Sequence, residues 1–163
     1  MDQINYLHLV SRWFHLGSVI VLVGGAVFMR YVLMPSAQKL SDDAHDTMRA
    51  NVLNIWKKFV HPLVGLIVIT GIINVIAKMK ETVVLYHILF TLKLILALYV
   101  LFVASALVGR SKGLEPVRKN GAKFLTINIV IAAIIVMISG VLKSLPLKEP
   151  KVDTATQVEK VQQ

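Results

Sequence analysis

Between Glu81 and Arg110 the chain runs for 28 residues with one formal charge, Lys93. Most of the rest of that run is Leu, Ile, Val, Ala or Phe. Few folds are open to such a stretch. About 20 apolar residues of helix cross the ~30 Å hydrocarbon core of a bilayer. Inside hydrocarbon every backbone N–H and C=O must find a partner within the protein, which only helices and closed barrels allow. Three more stretches are free of charge: Trp13 to Met29, Phe59 to Ala77 and Phe124 to Leu142. Barrel strands alternate apolar and polar residues over about ten positions. These runs are continuously apolar and far longer. With 56% hydrophobic residues and a mean hydropathy of +0.69, the 163-residue chain is also too apolar for a soluble domain. The expected fold is an all-α integral membrane protein, an antiparallel four-transmembrane-helix bundle over residues 1–145. Residues 146–163, polar and without periodicity, are expected to be a disordered tail.

The boundaries follow from local signals. The first span is expected from about Ile4 to Met34, with Pro35 ending it because proline cannot continue the hydrogen-bond ladder. It lacks a basic segment before its apolar run, so it reads as a span and not as a cleaved signal. A polar connection follows, in which Ser41 is a candidate N-cap for a short surface helix. The second span is expected from about Trp56 to Lys78, with Pro62 in its first turns, where a missing N–H does little harm. A short link makes a hairpin with the third span, and a basic loop at 111–123 leads to the fourth.

The formal net charge is +9. In a membrane chain this charge is explained by the positive-inside rule and by anionic lipid, not by nucleic acid. The loops at 30–58 and 110–123 hold ten Lys and Arg against seven on the other side, which predicts both termini outside. The chain has no cysteine, so disulfides, iron–sulfur clusters, thiolate metal sites and a cysteine nucleophile are excluded.

A charged side chain in mid-membrane costs ~3 kcal/mol on insertion scales. Lys93 therefore needs compensation inside the bundle. At ~1.5 Å per residue, His8 and His87 lie about one turn in from the outer surface, and His15 and Lys93 two to three turns in. Thr70 and Asn74 on the second span approach the same two levels. His8, Arg12 and His15 share one face of the first helix. Plainer roles stand beside these. His8 and His87 could sit at the headgroups, Arg12 could snorkel, and Arg30, His45 and His61 read as boundary or solvated groups. Met29, Met34 and Met137 are ordinary bundle fillers, although thioethers suit Cu(I). Gly17, Gly24, Gly25, Gly65 and Gly71 would permit close helix approach.

Three stretches resemble the copper-resistance D family of bacterial membrane proteins. One runs from His15 through Gly24-Gly25 to Phe28 and on to Pro35. The others are Ile69-Thr-Gly-Ile-Ile-Asn74 and Tyr86-His-Ile-Leu-Phe-Thr-Leu-Lys-Leu94. The resemblance covers about residues 8–110. It implies a multi-pass protein of a bacterial inner membrane that handles copper; in that reading His8, His15 and His87 are the expected metal ligands, and Lys93 is either their electrostatic partner or, once deprotonated, a further ligand. The first-span His and third-span Lys are also similar to those of the four-helix, haem-b-containing protoporphyrinogen oxidases of the HemJ type. That family has a His two residues before the Lys, whereas His87 is six before Lys93. Two cofactors are thus in view, a copper ion and haem b. For haem, the axial pair would be His8 with His87 or His15 with Lys93, and Arg12 would meet a propionate. A third reading is a structural subunit without a cofactor. No Asp or Glu lies inside any span, so an acidic partner for Lys93 would have to come from another chain.

Overall fold

The computed structural model describes residues 6–76 and 84–145. Among these residues the fold is all-α, helical nearly throughout and without a strand. Six α-helices follow in order: α1 (Tyr6–Phe28), α2 (Met34–Ala37), α3 (Asp42–Ile76), α4 (Val84–Val108), α5 (Glu115–Lys119) and α6 (Gly121–Ser144). A π-helical turn, Met29–Leu33, joins α1 to α2, and a 3-10 turn, Lys112–Leu114, precedes α5. Four helical stretches are long and apolar enough to cross a membrane: Tyr6–Ala37, Asp42–Ile76, Val84–Val108 and Gly121–Ser144. Val and Ile are modest helix formers in water. In hydrocarbon the backbone has no other way to satisfy itself, and that overrides propensity.

α1 packs along α3 and α4 along α6, and the two pairs meet mainly where α3 touches α4. The core at this junction is small: Leu22, Val60, Ile67 and Val108 are buried, with Trp56, Val64 and Leu101 against them. On α4 and α6, Val103, Ala106 and Ala132 are buried, small enough to let backbones approach. Large apolar side chains such as Ile20, Phe28, Ile72, Ile95, Phe102 and Val136 are exposed along the four long helices. Soluble monomers rarely expose apolar surface on this scale, whereas lipid-facing helices do.

Three expected boundaries change. Pro35 does not end the first helix, which continues to Ala37. A proline ring clashes with the carbonyl four residues back, here that of Tyr31. The π turn just before it widens the ladder, with the Met34 N–H bonding Met29 O, and lets the helix pass. The helix closes only when Lys39 and Leu40 bond Ser36 O and Ala37 O in a tightened last turn. No separate surface helix forms after Ser41. Its carbonyl accepts the His45 N–H at 2.8 Å, and α3 then runs unbroken for 35 residues. Asp42 and Asp43 in its first turn favour the start electrostatically, and no Gly or Pro interrupts it before Pro62. Pro62 consequently lies well inside the helix instead of in its first turns. It deprives Lys58 O of a donor, and next to it the His61 ring donates from Nδ1 to Lys57 O at 3.0 Å. The short link and the tail fall outside the described residues, at 77–83 and 146–163.

Candidate functional site

α1 presents polar side chains at positions 8, 11, 15 and 18, which is helical spacing along one stripe. α3 answers with Ile67 O, Thr70, Gly71 and Asn74. His8 Nδ1 lies 3.1 Å from Asn74 Oδ1. Ser11 donates its hydroxyl to Thr70 O at 3.4 Å. His15 Nδ1 is 3.0 Å from Thr70 Oγ1 and 3.1 Å from Ile67 O. Ser18 is buried and closes on its own helix through Phe14 O at 2.7 Å. The result is a polar seam between two otherwise apolar helices.

The His15 contacts determine its chemistry. A carbonyl oxygen can only accept, so Nδ1 must carry the proton that meets Ile67 O. The Thr70 hydroxyl donates back to Leu66 O, which leaves its oxygen free to accept from the same Nδ1–H. The bond is forked, and it fixes the neutral imidazole as the Nδ1–H tautomer. Nε2 then holds the lone pair. The ring rests beside Gly71, where an added Cβ would meet His15 Cε1 at 3.5 Å. This is the arrangement of a metal-ligating histidine, whose other nitrogen donates to a carbonyl and so fixes the ring's direction and basicity.

Lys93 is half-buried on α4, and it sits close enough for its charge to act on the His15 imidazole. The two levels read from the sequence, His8 with Asn74 and His15 with Thr70, reappear here as hydrogen bonds. Arg12 is exposed, and the inward position on that turn belongs to Ser11. His87 is half-buried, its ring edge-on to Tyr86 with centroids 6.1 Å apart. Its backbone carbonyl accepts from Thr91 at 2.8 Å.

Among the described residues no three of His, Cys, Asp and Glu gather closely enough to hold a metal ion. For His8 and His15 the reason is helical rise. Seven residues separate them along α1, or ~10 Å, while a metal–nitrogen bond is only ~2 Å. In the structure the two rings are turned to separate partners on α3, Asn74 at one level and Thr70 with Ile67 O at the next. The thioethers of Met29 and Met34 lie elsewhere, in a cavity that also carries Arg30, Arg49 and Arg118, whose positive charge repels a cation.

Sequence reasoning overlooked Ser11, Ser18 and Asn128, all of which are buried. The first two could have been found as the missing members of the stripe at 8, 11, 15 and 18. Asn128 is an amide within an apolar span, which by itself points inward.

The Asn74 bond gives a modest energetic test. Hydrogen bonds between membrane helices average ~0.6 kcal/mol. Asn74→Leu is therefore expected to lower stability by about that amount, read as a small drop in the thermal midpoint in detergent. Compared with family models, with curated proteins and with solved structures, the chain shows no significant match.

Proposed function

We propose that the chain is a multi-pass membrane redox protein, an antiparallel four-helix bundle that holds haem b through His15. The observation that carries this reading is the forked bond from His15 Nδ1 to Ile67 O and Thr70 Oγ1, which leaves Nε2 as an oriented donor. The donor set suits haem better than a bare ion. A porphyrin brings four equatorial nitrogens, so the protein need supply only axial ligands, and a proximal histidine is a common one. A copper ion would need several protein donors at one point, and the three histidines do not offer them. Bound haem would supply one-electron chemistry. His15 would hold the iron, Thr70 and Ile67 hold His15, and Lys93 would supply a positive charge to offset the acidic groups of the porphyrin. The copper reading draws on the resemblance of the three stretches to the copper-resistance D family. It would have His15 act with donors other than His8.

The test is the absorption spectrum of the purified protein, expressed with adequate haem, with metal analysis on the same sample. A Soret band is expected. Copper without a Soret band would favour the second reading. A colourless, metal-free and correctly assembled protein would remove both.

In this reading both termini face outside and the basic loops face the cytoplasm of a bacterial cell. Single cysteines at Ser111 and Thr154 should then label from opposite sides in intact cells. Labelling of both from one side would overturn the topology.

A further inference from the structure

The end of the bundle away from His15 contains a cavity of about 370 Å³. That is within the range of small-molecule sites. Its walls are mostly apolar, formed by residues such as Leu22, Met29, Trp56, Val100 and Leu125. Four cations also line it: Arg30, Arg49, Arg118 and Lys119. Among the described residues no Asp or Glu does. Lys119 pairs with Glu115 at 3.1 Å, whereas among the described residues no carboxylate meets the guanidinium groups in this way. Arg30 donates from Nε to the Thr126 hydroxyl at 2.8 Å. Arg49 donates from Nη2 to the backbone carbonyl of Arg118 at 3.4 Å, which brings two cationic residues together across α3 and α5.

Two polar atoms in this wall are buried without a partner among the described residues, Arg118 Nη1 and Asn128 Oδ1. Asn128 is only 5% exposed. A buried donor and a buried acceptor left unmade are each costly, and native proteins seldom tolerate them without a ligand or water to meet them. Arg118 Nη1 calls for an anion. Asn128 Oδ1 calls for a hydroxyl or another donor. The apolar walls call for a hydrocarbon chain.

We propose that this cavity binds an acidic phospholipid with a hydroxylated head group, drawn from the surrounding leaflet. The phosphate meets Arg118 and Arg49, a head-group hydroxyl meets Asn128, and part of one acyl chain fills the apolar space. Guanidinium groups suit phosphate because their planar fork gives paired, charge-assisted bonds. The site lies on different turns of α1, α3 and α4 from the His15 seam, so it stands or falls independently of the haem reading.

Native mass spectrometry of the full chain, released from nanodiscs, tests the proposal. The nanodiscs hold phosphatidylcholine with a minor share of phosphatidylglycerol. Wild-type protein should retain phosphatidylglycerol selectively. Arg118→Gln should weaken retention roughly tenfold, the loss expected when one charge-assisted bond goes. Arg118→Lys should recover part of it, and Lys58→Gln, an exposed cation outside the cavity, should leave it unchanged. Ala26→Leu fills the space without touching a charge and should also reduce retention. Equal retention by wild type and Arg118→Gln would overturn the proposal. So would an equal loss in Lys58→Gln, which would show general attraction to a basic surface. Displacement of the lipid by inorganic phosphate alone would show a free-anion site instead.

Discussion

His15→Ala is expected to abolish the Soret band of haem-loaded protein while leaving the helical content intact. In the proposed haem site the imidazole is the group that α1 would offer to the iron at this level, and its loss would remove that nitrogen. Thr70→Val should act differently. It keeps the shape of the side chain and leaves Ile67 O to hold the Nδ1 proton, so the ligand remains but its support is halved. Loss of such a supporting partner typically weakens metal affinity by about 10- to 100-fold. The band should therefore persist, with haem lost more readily in competition with an apo-globin scavenger. A His15→Ala protein with an unchanged spectrum would place the haem elsewhere. A Thr70→Val protein indistinguishable from wild type would show that the forked bond serves packing alone.

The second large effect is expected at Gly25. A Cβ built there would run into the Trp56 ring, which lies directly over the helix. Trp56 is packed against the core of Leu22, Val60, Ile67 and Val108 on one side and lines the cavity on another, so making room for a Cβ means shifting the ring off that core. Gly25→Ala should cost about 1–3 kcal/mol, the usual price of overpacking, and Gly25→Leu should cost more by prising α1 from α3. Gly24 has nothing within 4 Å of its added Cβ. There Gly24→Ala should be neutral or stabilising by up to ~1 kcal/mol, because alanine is the better helix former. Thermal unfolding of the pair in one detergent reads the contrast. Equal midpoints for Gly24→Ala and Gly25→Ala would show that the close approach of Trp56 does not exist in solution.

The pair also shows what could be read in the chain itself. Gly24 and Gly25 are indistinguishable in sequence, and only the packing tells which one a neighbouring ring needs. The four long helices were plain from the length of the apolar runs, because hydrocarbon leaves the backbone no alternative. The two polar levels were also legible. Depth along a helix is set by rise per residue, and His8, His15, Thr70 and Asn74 paired as that rise requires. Rotation about the helix axis was harder to judge. Arg12 and Ser11 both lie near the stripe, and the charge drew attention although the smaller hydroxyl took the inward place. Boundaries set by proline were misjudged for a related reason. Proline removes a donor and crowds one carbonyl, and a π turn at Met29–Leu33 can absorb that locally. The cationic cavity was not visible either, since Arg30, Arg49 and Arg118 come from three separate segments that only the fold brings together.

The unbroken length of α3 has a mechanical consequence. Thirty-five residues make a rod of ~52 Å, well beyond the ~30 Å of hydrocarbon, so in the proposed membrane arrangement one end would stand clear of the bilayer. That end would carry Arg49, and the other end carries Thr70 and Asn74. A tilt of the protruding arm would then pass along a single rod to the residues that hold His15. Pro62 is the place along it where a backbone bond is missing, and so the fulcrum at which that tilt would be absorbed or passed on.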